Sequence, residues 1–241
     1  MDYRQRFYRD FTRSERWESY RVRVQSTDLY LKTSGNQALR VQTKVRELRE
    51  EIKDHIRRQP EFLDSLLPVT ELPNEAGVVS RMKRAAFKAG VGPMAAVAGA
   101  VAEAVGLDLA GRSKEVIVEN GGDCFFKLQQ PAVSTIFAGK SPFSGRIAIR
   151  IDPGKSPLAV CTSSGTVGPS YSRGRADAAT IISRDACLAD ALATRAANII
   201  ASEHDFEAGL EYALNVEGVL GVVLIYKDKL AVKGEVELAR I

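Results

Sequence analysis

The sequence predicts an α+β fold, in which helices lie on one face of mainly antiparallel sheets. The first observation is the order of the elements, because predicted strands come in adjacent pairs and the helices are grouped between those pairs. The second is that the strand segments are short, apolar or alternating, and separated by turn residues, as is typical of β-hairpins. The 241 residues are ample for a buried core, no solenoid repeat is found, and we expect one domain over residues 1–241.

The first part of the chain predicts a hairpin followed by a long helix. Apolar and polar residues alternate over residues 20–24 and again over 28–32, so we expect two antiparallel strands with a turn between them. Apolar residues then recur every three or four positions over residues 39–56, which predicts an amphipathic helix that ends before Pro60. Residues 60–76 contain three prolines and are expected to be irregular.

Two further helices are predicted before the middle of the chain. The first covers residues 78–88 and stops at the glycine turn of residues 90–93. Pro93 fits the first turn of a second helix over residues 94–105, which should end near Gly106. Most residues of this second helix are alanine or glycine, so we expect it to pack closely against its neighbours.

The second half predicts more strands and a second group of helices. Residues 115–119 and 124–128 predict a hairpin with a Gly-Gly turn. Residues 185–200 predict a helix, and Ser202 with Asp205 resembles a capping box for another helix over residues 206–214. Further strands are predicted over residues 134–138, 146–151, 158–162 and 179–183, and a last hairpin over residues 220–226 and 230–238 that turns at Asp228.

Positive charge is concentrated in the first 60 residues. The net charge is +4 and the pI about 9.0, and residues 1–60 hold 15 Lys and Arg against 9 Asp and Glu. Because the basic residues of segment 46–58 stand beside acids, we interpret them as ion pairs on a solvated helix face. Binding of a small anionic ligand is the alternative, and binding of nucleic acid is not expected.

Cysteine content and hydropathy exclude several protein classes. Three cysteines without a C-x-x-C pair argue against a disulfide scaffold and against a structural zinc site. The N-terminus lacks the apolar segment of a signal peptide, and no stretch reaches the roughly 18 apolar residues of a membrane span. We therefore expect a cytoplasmic protein. His55 and His204 are expected at the surface, so no Ser–His or Cys–His catalytic pair is predicted.

The helix over residues 185–200 carries the most informative polar residues. Asp190 and Thr194 are four residues apart in a stretch of small apolar residues, so they lie on one helix face, one turn apart. A buried carboxylate needs a partner, and carboxylate and hydroxyl oxygens suit Mg²⁺ together with substrate phosphates. The alternative is an aspartate that is hydrogen-bonded at a helix–loop contact.

Three other segments have the residue types of a ligand site, and each is weak alone. They are a glycine turn that enters a helix N-terminus, a Gly-Gly turn that would let a backbone approach a ligand, and hydroxyl residues at a strand end. For the Gly-Gly turn, the alternative is a plain hairpin turn. The residues are Gly92, Pro93 and Met94 in the first segment, Asn120, Gly121, Gly122 and Asp123 in the second, and Thr162, Ser163, Ser164 and Gly165 in the third.

The order of these segments resembles the ApbE-like (FAD:protein FMN transferase) superfamily. The matching stretches are GVGPMAAVAGAVAEAVG, VIVENGGD, AVCTSSG and ADALAT, and together they lie within residues 88–200. The resemblance implies a T-fold made of two related halves. It also implies a small-molecule nucleotide ligand, FAD or a related nucleotide, bound with Mg²⁺, and transfer of the FMN portion to a threonine of an acceptor protein. A homo-oligomer is expected as well.

The resemblance also implies roles for individual residues. Asp190, Thr194 and the main-chain carbonyl of Ala95 would hold the metal, and the two four-residue segments that begin at Asn120 and Thr162 would form the flavin pocket together with residues 92–94. After T-S-G, the H-x-x-D-P segment of the family is replaced here by residues 170–177, which contain no histidine. Asp177 stands near the position of the family's aspartate and is the predicted catalytic residue. A flavin transferase, a non-catalytic nucleotide-binding module and an oligomeric scaffold with a vestigial pocket all remain open.

Overall fold

The computed structural model describes residues 16–166 and 174–241. The helices of these ranges are α1 (Ala38–Arg58), α2 (Glu61–Asp64), α3 (Gly77–Ala89), α4 (Val97–Leu109), α5 (Ala186–Ile199) and α6 (Phe206–Leu214). The strands are β1 (Glu18–Val24), β2 (Thr27–Thr33), β3 (Val116–Asn120), β4 (Asp123–Lys127), β5 (Ala132–Thr135), β6 (Ile147–Ile151), β7 (Leu158–Ser163), β8 (Ala178–Ser183), β9 (Val219–Tyr226), β10 (Lys229–Gly234) and β11 (Leu238–Arg240).

The large sheet is built from two halves with the same connectivity. Its strand order is β1-β2-β3-β4-β7-β8-β9-β10, and every neighbouring pair is antiparallel. In each half a hairpin is followed by helices and then by a second hairpin, whose first strand pairs with the second strand of the first hairpin. The halves join where β4 pairs with β7, with Cys124 opposite Val160. The predicted α+β class and the two related halves are confirmed.

The large sheet is covered on both faces. Along β9, Val222 and Leu224 contact the cluster formed with the helices, while Val223 and Ile225 contact a second cluster against the small sheet β11-β6-β5. Burial on both faces explains why β9 is apolar at successive positions and does not alternate. Each such fully buried aliphatic side chain contributes roughly 1.5–3 kcal/mol.

Several predicted boundaries were wrong, and each error has a local cause. The predicted helix over residues 94–105 is a 3₁₀ turn, Pro93–Ala96, followed by α4, which continues past Gly106 to Leu109. A Cβ at Gly106 would lie 2.1 Å from the Phe125 ring, so this glycine is a packing contact inside the helix and does not end it. The predicted last strand is also divided, because Gly234 has a φ of 89° and the chain turns there before β11 pairs with β6.

In the helical layer, two further expectations are wrong and one is confirmed. His55 is buried at 3% exposure, not at the surface, because it lies on the inner face of α1 against Phe62 of α2. The segment over residues 60–76, expected to be irregular, contains α2. The capping box of Ser202 and Asp205 is present and starts the turn that leads into α6.

Among the described residues, no single helix is both long and apolar enough to cross a membrane. Only α3 and the segment Pro93–Leu109 taken together are long and apolar enough for this, and the two helical pieces meet at an angle of 106°.

Candidate functional site

Several turns gather at one end of the large sheet. Because neighbouring strands are antiparallel, the β1–β2 and β3–β4 turns, the end of β7 and the β9–β10 turn all point the same way. The N-terminus of α4 lies at this end too, since the Asn120 side chain donates a hydrogen bond of 3.1 Å to the Ala98 carbonyl. The predicted segments around Asn120, Thr162 and Pro93 are therefore brought to the same region, although they are distant in sequence.

Asp190 binds the N-terminal turn of α4. Its Oδ2 accepts a hydrogen bond of 2.8 Å from the Gly99 amide. Burial raises the pKa of the Asp190 carboxyl to about 7, although hydrogen bonds from the Gly99 and Ala98 amides oppose that rise. These amides lie at the positive end of the helix dipole, which makes this turn a suitable place for negative charge. Asp190 therefore makes the hydrogen-bonded helix contact that the sequence raised as the alternative to a metal ligand.

Asp123 is the second buried carboxyl of the site. Burial raises its pKa well above the ordinary value, and the nearby Asp190 raises it further. Among the described residues its Oδ1 has no hydrogen-bond partner. Two neighbouring buried carboxyls with an unsatisfied oxygen are costly unless a proton or a cation lies between them. This pair is the strongest indication of a ligand site in the described chain.

Cys161 lies beside the two carboxyls. The sequence alone did not indicate it as a site residue. Burial raises the pKa of its thiol, and Asp123 and Asp190 raise it further, so the thiol stays neutral. Its Sγ lies 3.6 Å from the Ala186 carbonyl at the start of α5. Its position in β7, one residue before Thr162, is the feature of the sequence that could have indicated it as a site residue.

The Gly-Gly turn is held by Glu119, which sequence reasoning also missed. Gly121 and Gly122 have φ values of 74° and 117°, so both positions favour glycine. Their amides donate hydrogen bonds of 2.7 and 3.2 Å to Glu119 Oε1. The turn is therefore preorganised by its own strand. A Cβ at Gly122 would lie 3.6 Å from the Thr162 carbonyl, which brings the turn next to β7.

The hydroxyl residues at the end of β7 differ in their partners. Thr162 shares a hydrogen bond of 2.9 Å with Thr180, another residue that the sequence did not indicate. Ser164 bonds to Thr166 and to the Ala176 carbonyl. In the ranges that the structure covers, the buried Ser163 Oγ has no partner. Ser163 is thus the hydroxyl of this segment with free hydrogen-bonding capacity.

The metal residues implied by the resemblance lie on two contacting elements. The Pro93–Ala96 turn, which includes Ala95 and the partly buried Met94, packs against α5, which carries Asp190 and the half-buried Thr194. Gly92 is needed at the entry to this turn, because a Cβ there would lie 1.7 Å from the Ser65 carbonyl.

Asp177, the predicted catalytic residue, is tied to its surroundings through both oxygens. Oδ1 accepts a hydrogen bond of 2.8 Å from the Thr166 hydroxyl, and Oδ2 accepts one of 2.6 Å from the Lys227 amide. Next to it, a Cβ at Gly165 would lie 2.0 Å from the Gly174 carbonyl. Residues 170–173 of the segment that replaces H-x-x-D-P lie outside the described residues.

Another cluster of acidic residues lies between α4 and the start of α5. Ligand atoms of Glu103, Asp185 and Cys187 lie within 4.8 Å of one another. Burial raises the pKa of Glu103 to about 7, and the Arg81 guanidinium, 3.1 Å away, opposes that rise. Arg81 therefore already supplies a cation to this cluster.

Gly99→Ala tests the contact between α4 and α5. A Cβ at Gly99 would lie 2.1 Å from the Ala186 carbonyl oxygen and 2.9 Å from the Asp190 Cβ, so the two helices must separate. We expect a loss of about 1–3 kcal/mol in the free energy of unfolding, measured by urea denaturation. Gly77→Ala is the matched control, since the space around this helical glycine is open within 4 Å. Equal effects of the two variants would contradict the close contact.

Comparison with known proteins finds relatives over most of the chain. The family model described as AbpE bacteria matches residues 9–227. The UPF0280 protein of Methanocella arvoryzae is 43% identical over 189 residues, which are 78% of this chain and 76% of that protein. The UPF0280 protein of Methanocaldococcus jannaschii is 33% identical over 226 residues, covering 91% of this chain and 92% of that protein.

Two solved structures with the same fold are of flavin transferases. The flavin transferase ApbE from Vibrio cholerae has a TM-score of 0.59 at 14% identity, with 90% of this chain and 97% of that chain covered. The apo form of the Pseudomonas stutzeri flavinyl transferase ApbE has a TM-score of 0.57 at 12% identity, with 90% and 94% covered. These likenesses show the fold, and the family match together with the curated relatives shows that the chain belongs to the AbpE bacteria family.

Proposed function

We propose that this protein binds FAD or a related nucleotide together with Mg²⁺, at the end of the sheet where Asp123 and Asp190 meet. The observation that carries the proposal is this buried pair of carboxyls, of which Asp123 Oδ1 has no partner among the described residues. The proteins of the same fold that are flavin transferases support the choice of a flavin nucleotide.

The residues of the site fit Mg²⁺. The donors are hard oxygens, supplied by the carboxyls of Asp123 and Asp190, the hydroxyl of Thr194 and the carbonyl of Ala95, and Mg²⁺ prefers such ligands together with phosphate oxygens. When bound, the cation would neutralise the carboxyl pair and withdraw charge from a pyrophosphate. Asp190 would use the oxygen that Gly99 does not occupy, so the helix N-terminus and the metal share one carboxylate.

The transferase reaction proposed for this site is a phosphoryl transfer. The hydroxyl oxygen of an acceptor threonine would bond to the phosphorus of the FMN half, the bond from that phosphorus to the bridging oxygen would break, and AMP would leave. The hydroxyl proton must pass to a base. Asp177 already accepts a hydrogen bond at each of its two oxygens, which makes it a poor candidate for this base. This arrangement favours the second candidate function, a module that binds the nucleotide without turnover.

Calorimetric titration of FAD, with and without Mg²⁺, tests the proposal. We expect binding that needs Mg²⁺ and that weakens about tenfold or more in Asp190→Asn and in Asp123→Asn, because each change removes a charged oxygen ligand. Asparagine keeps an acceptor for the Gly99 amide, so the fold is preserved. Asp64→Asn, at an exposed position of α2, is the control. Absence of FAD binding by the wild-type protein, or equal binding by all variants, would overturn the proposal.

Incubation of FAD with a threonine-containing acceptor peptide separates the two functions. Release of AMP with flavin bound to the peptide supports the transferase, and tight binding without AMP release supports the binding module.

A further inference from the structure

The basic residues of α1 differ in their partners. Lys44 pairs with Glu47 at 3.3 Å, Lys53 pairs with Glu50 at 2.8 Å, and Arg57 pairs with Asp54. The pairs of Lys53 and Arg57 are ion pairs of the kind predicted for segment 46–58, whereas Arg46, Arg49 and Arg58 of that segment have no acidic partner in the described ranges. In contrast, Arg46 and Arg49 have no carboxylate within ion-pair distance among residues 16–166 and 174–241, and the same holds for Arg23 of β1.

Arg23, Arg46 and Arg49 line one groove. The groove has a volume of about 450 Å³ and lies between the β1–β2 turn and α1. Its lining is formed by Arg23, Val24, Gln25, Arg46, Arg49 and Glu50. The one carboxylate of this lining, Glu50, is already paired with Lys53. The groove therefore holds an excess of positive charge.

The Arg49 guanidinium is held by hydrogen bonds to the β1–β2 turn. Its Nη1 donates hydrogen bonds of 3.1 Å to Ser26 and 2.8 Å to Thr27, and its Nη2 donates one of 2.7 Å to Gln25 Oε1. Its Nε is buried and has no hydrogen-bond partner in the described part of the chain. All of these partners are neutral, so the guanidinium keeps its full charge in a fixed orientation.

We propose that this groove binds the phosphate group of a small phosphorylated molecule. Guanidinium groups pair with phosphate through paired N–H donors, and a fixed guanidinium loses little entropy on binding. A volume of this size lies within the range of small-molecule sites. Arg46 and the Nη atoms of Arg23 supply donors for the phosphate, and Arg49, whose Nη atoms bond Gln25, Ser26 and Thr27, adds a fixed positive charge.

The groove is separate from the proposed flavin site. It lies at the β1–β2 turn, whereas the flavin site is centred on the β3–β4 turn and on α5. Strand β2 lies between β1 and β3, with Tyr30 opposite Glu119, so the two regions share one end of the sheet without sharing residues. The proposal therefore does not depend on flavin binding.

Calorimetric titration of the full chain with inorganic pyrophosphate tests the proposal. EDTA is present throughout, so that binding through Mg²⁺ at the flavin site does not contribute. We expect the dissociation constant to rise about tenfold or more in Arg46→Ala and in Arg23→Ala, because each change removes a guanidinium that lines the groove. Arg84→Ala, an exposed change on α3 that removes the same charge, should leave the affinity unchanged.

Three results would overturn the proposal. The first is absence of pyrophosphate binding by the wild-type protein. The second is an equal loss of affinity in Arg84→Ala, because the interaction would then depend on net charge alone. The third is a loss in Asp190→Asn that is not seen in Arg46→Ala, because the anion would then bind at the flavin site.

Discussion

Lys83→Met is expected to lower the free energy of unfolding by about 3–5 kcal/mol, because it leaves Glu75 as an unpaired buried carboxylate. The Lys83 side chain is 1% exposed and the Glu75 side chain 5%. Lys83 Nζ donates to Glu75 Oε1, to Gln59 Oε1 at 2.5 Å and to the Thr70 carbonyl at 2.8 Å. Methionine preserves the length of the side chain, so the loss reports the charge and its hydrogen bonds. Urea denaturation monitored by circular dichroism measures it.

A double variant distinguishes a lost ion pair from disturbed packing. Replacing both partners, Lys83→Met with Glu75→Gln, removes the unpaired charge, so the double variant should be more stable than Lys83→Met alone. Lys88→Met, at an exposed position of the same helix, is the control and should change stability by less than about 0.5 kcal/mol. If the double variant were less stable than the single variant, the ion pair would not be the source of the effect.

The network around Lys83 has a structural role beyond stability. It connects α1, through Gln59 and the buried His55, to the segment that follows α2 and to α3. That segment includes Ser65, whose carbonyl lies against Gly92 at the entry to the Pro93–Ala96 turn. We therefore expect Lys83→Met to weaken FAD binding as well, because the Pro93–Ala96 turn would lose part of its packing support.

Glu115→Gln is expected to remove about 2–3 kcal/mol of stability at neutral pH, in line with hydrogen bonds to a charged group. Glu115 accepts hydrogen bonds from Arg16 at 2.6 Å, Trp17 at 3.0 Å, and the amides of Gln129 at 2.6 Å and Gln130 at 3.1 Å. Burial raises the pKa of the Glu115 carboxyl, but these donors outweigh burial and hold the pKa at about 2.

The pH dependence follows from the direction of this shift. Because the folded pKa of about 2 lies below the ordinary value of 4.5, the stabilisation by Glu115 is complete above pH 4.5 and is lost as the pH falls toward 2. The difference in stability between the wild type and Glu115→Gln should therefore be largest at neutral pH and shrink over that window. Urea denaturation at several pH values measures it, with the exposed Glu217→Gln as control. A difference that does not change with pH would contradict the role of the ionised carboxylate.

Much of the fold could be predicted because the relevant signals are local. Alternation over residues 20–24 and 28–32 predicted the first hairpin, and turn residues placed the hairpins at Gly121–Gly122 and Asp228. Errors arose where a distant contact decided the outcome. Gly106 lies inside α4, where the Phe125 ring occupies the space that a side chain would need, and His55 is buried against Phe62 of α2.

The sequence by itself determined the class of the fold, the order of most of its elements and the residue types of the candidate site, since periodicity, turn chemistry and short motifs act over a few residues. Only the tertiary structure decided which of those residues meet. It brought Asp123 beside Asp190, placed Asp190 on the N-terminus of α4, and left Arg23, Arg46 and Arg49 around one groove. The physical reason is that burial, charge proximity and unsatisfied hydrogen bonds depend on the packing of segments that are far apart in the chain.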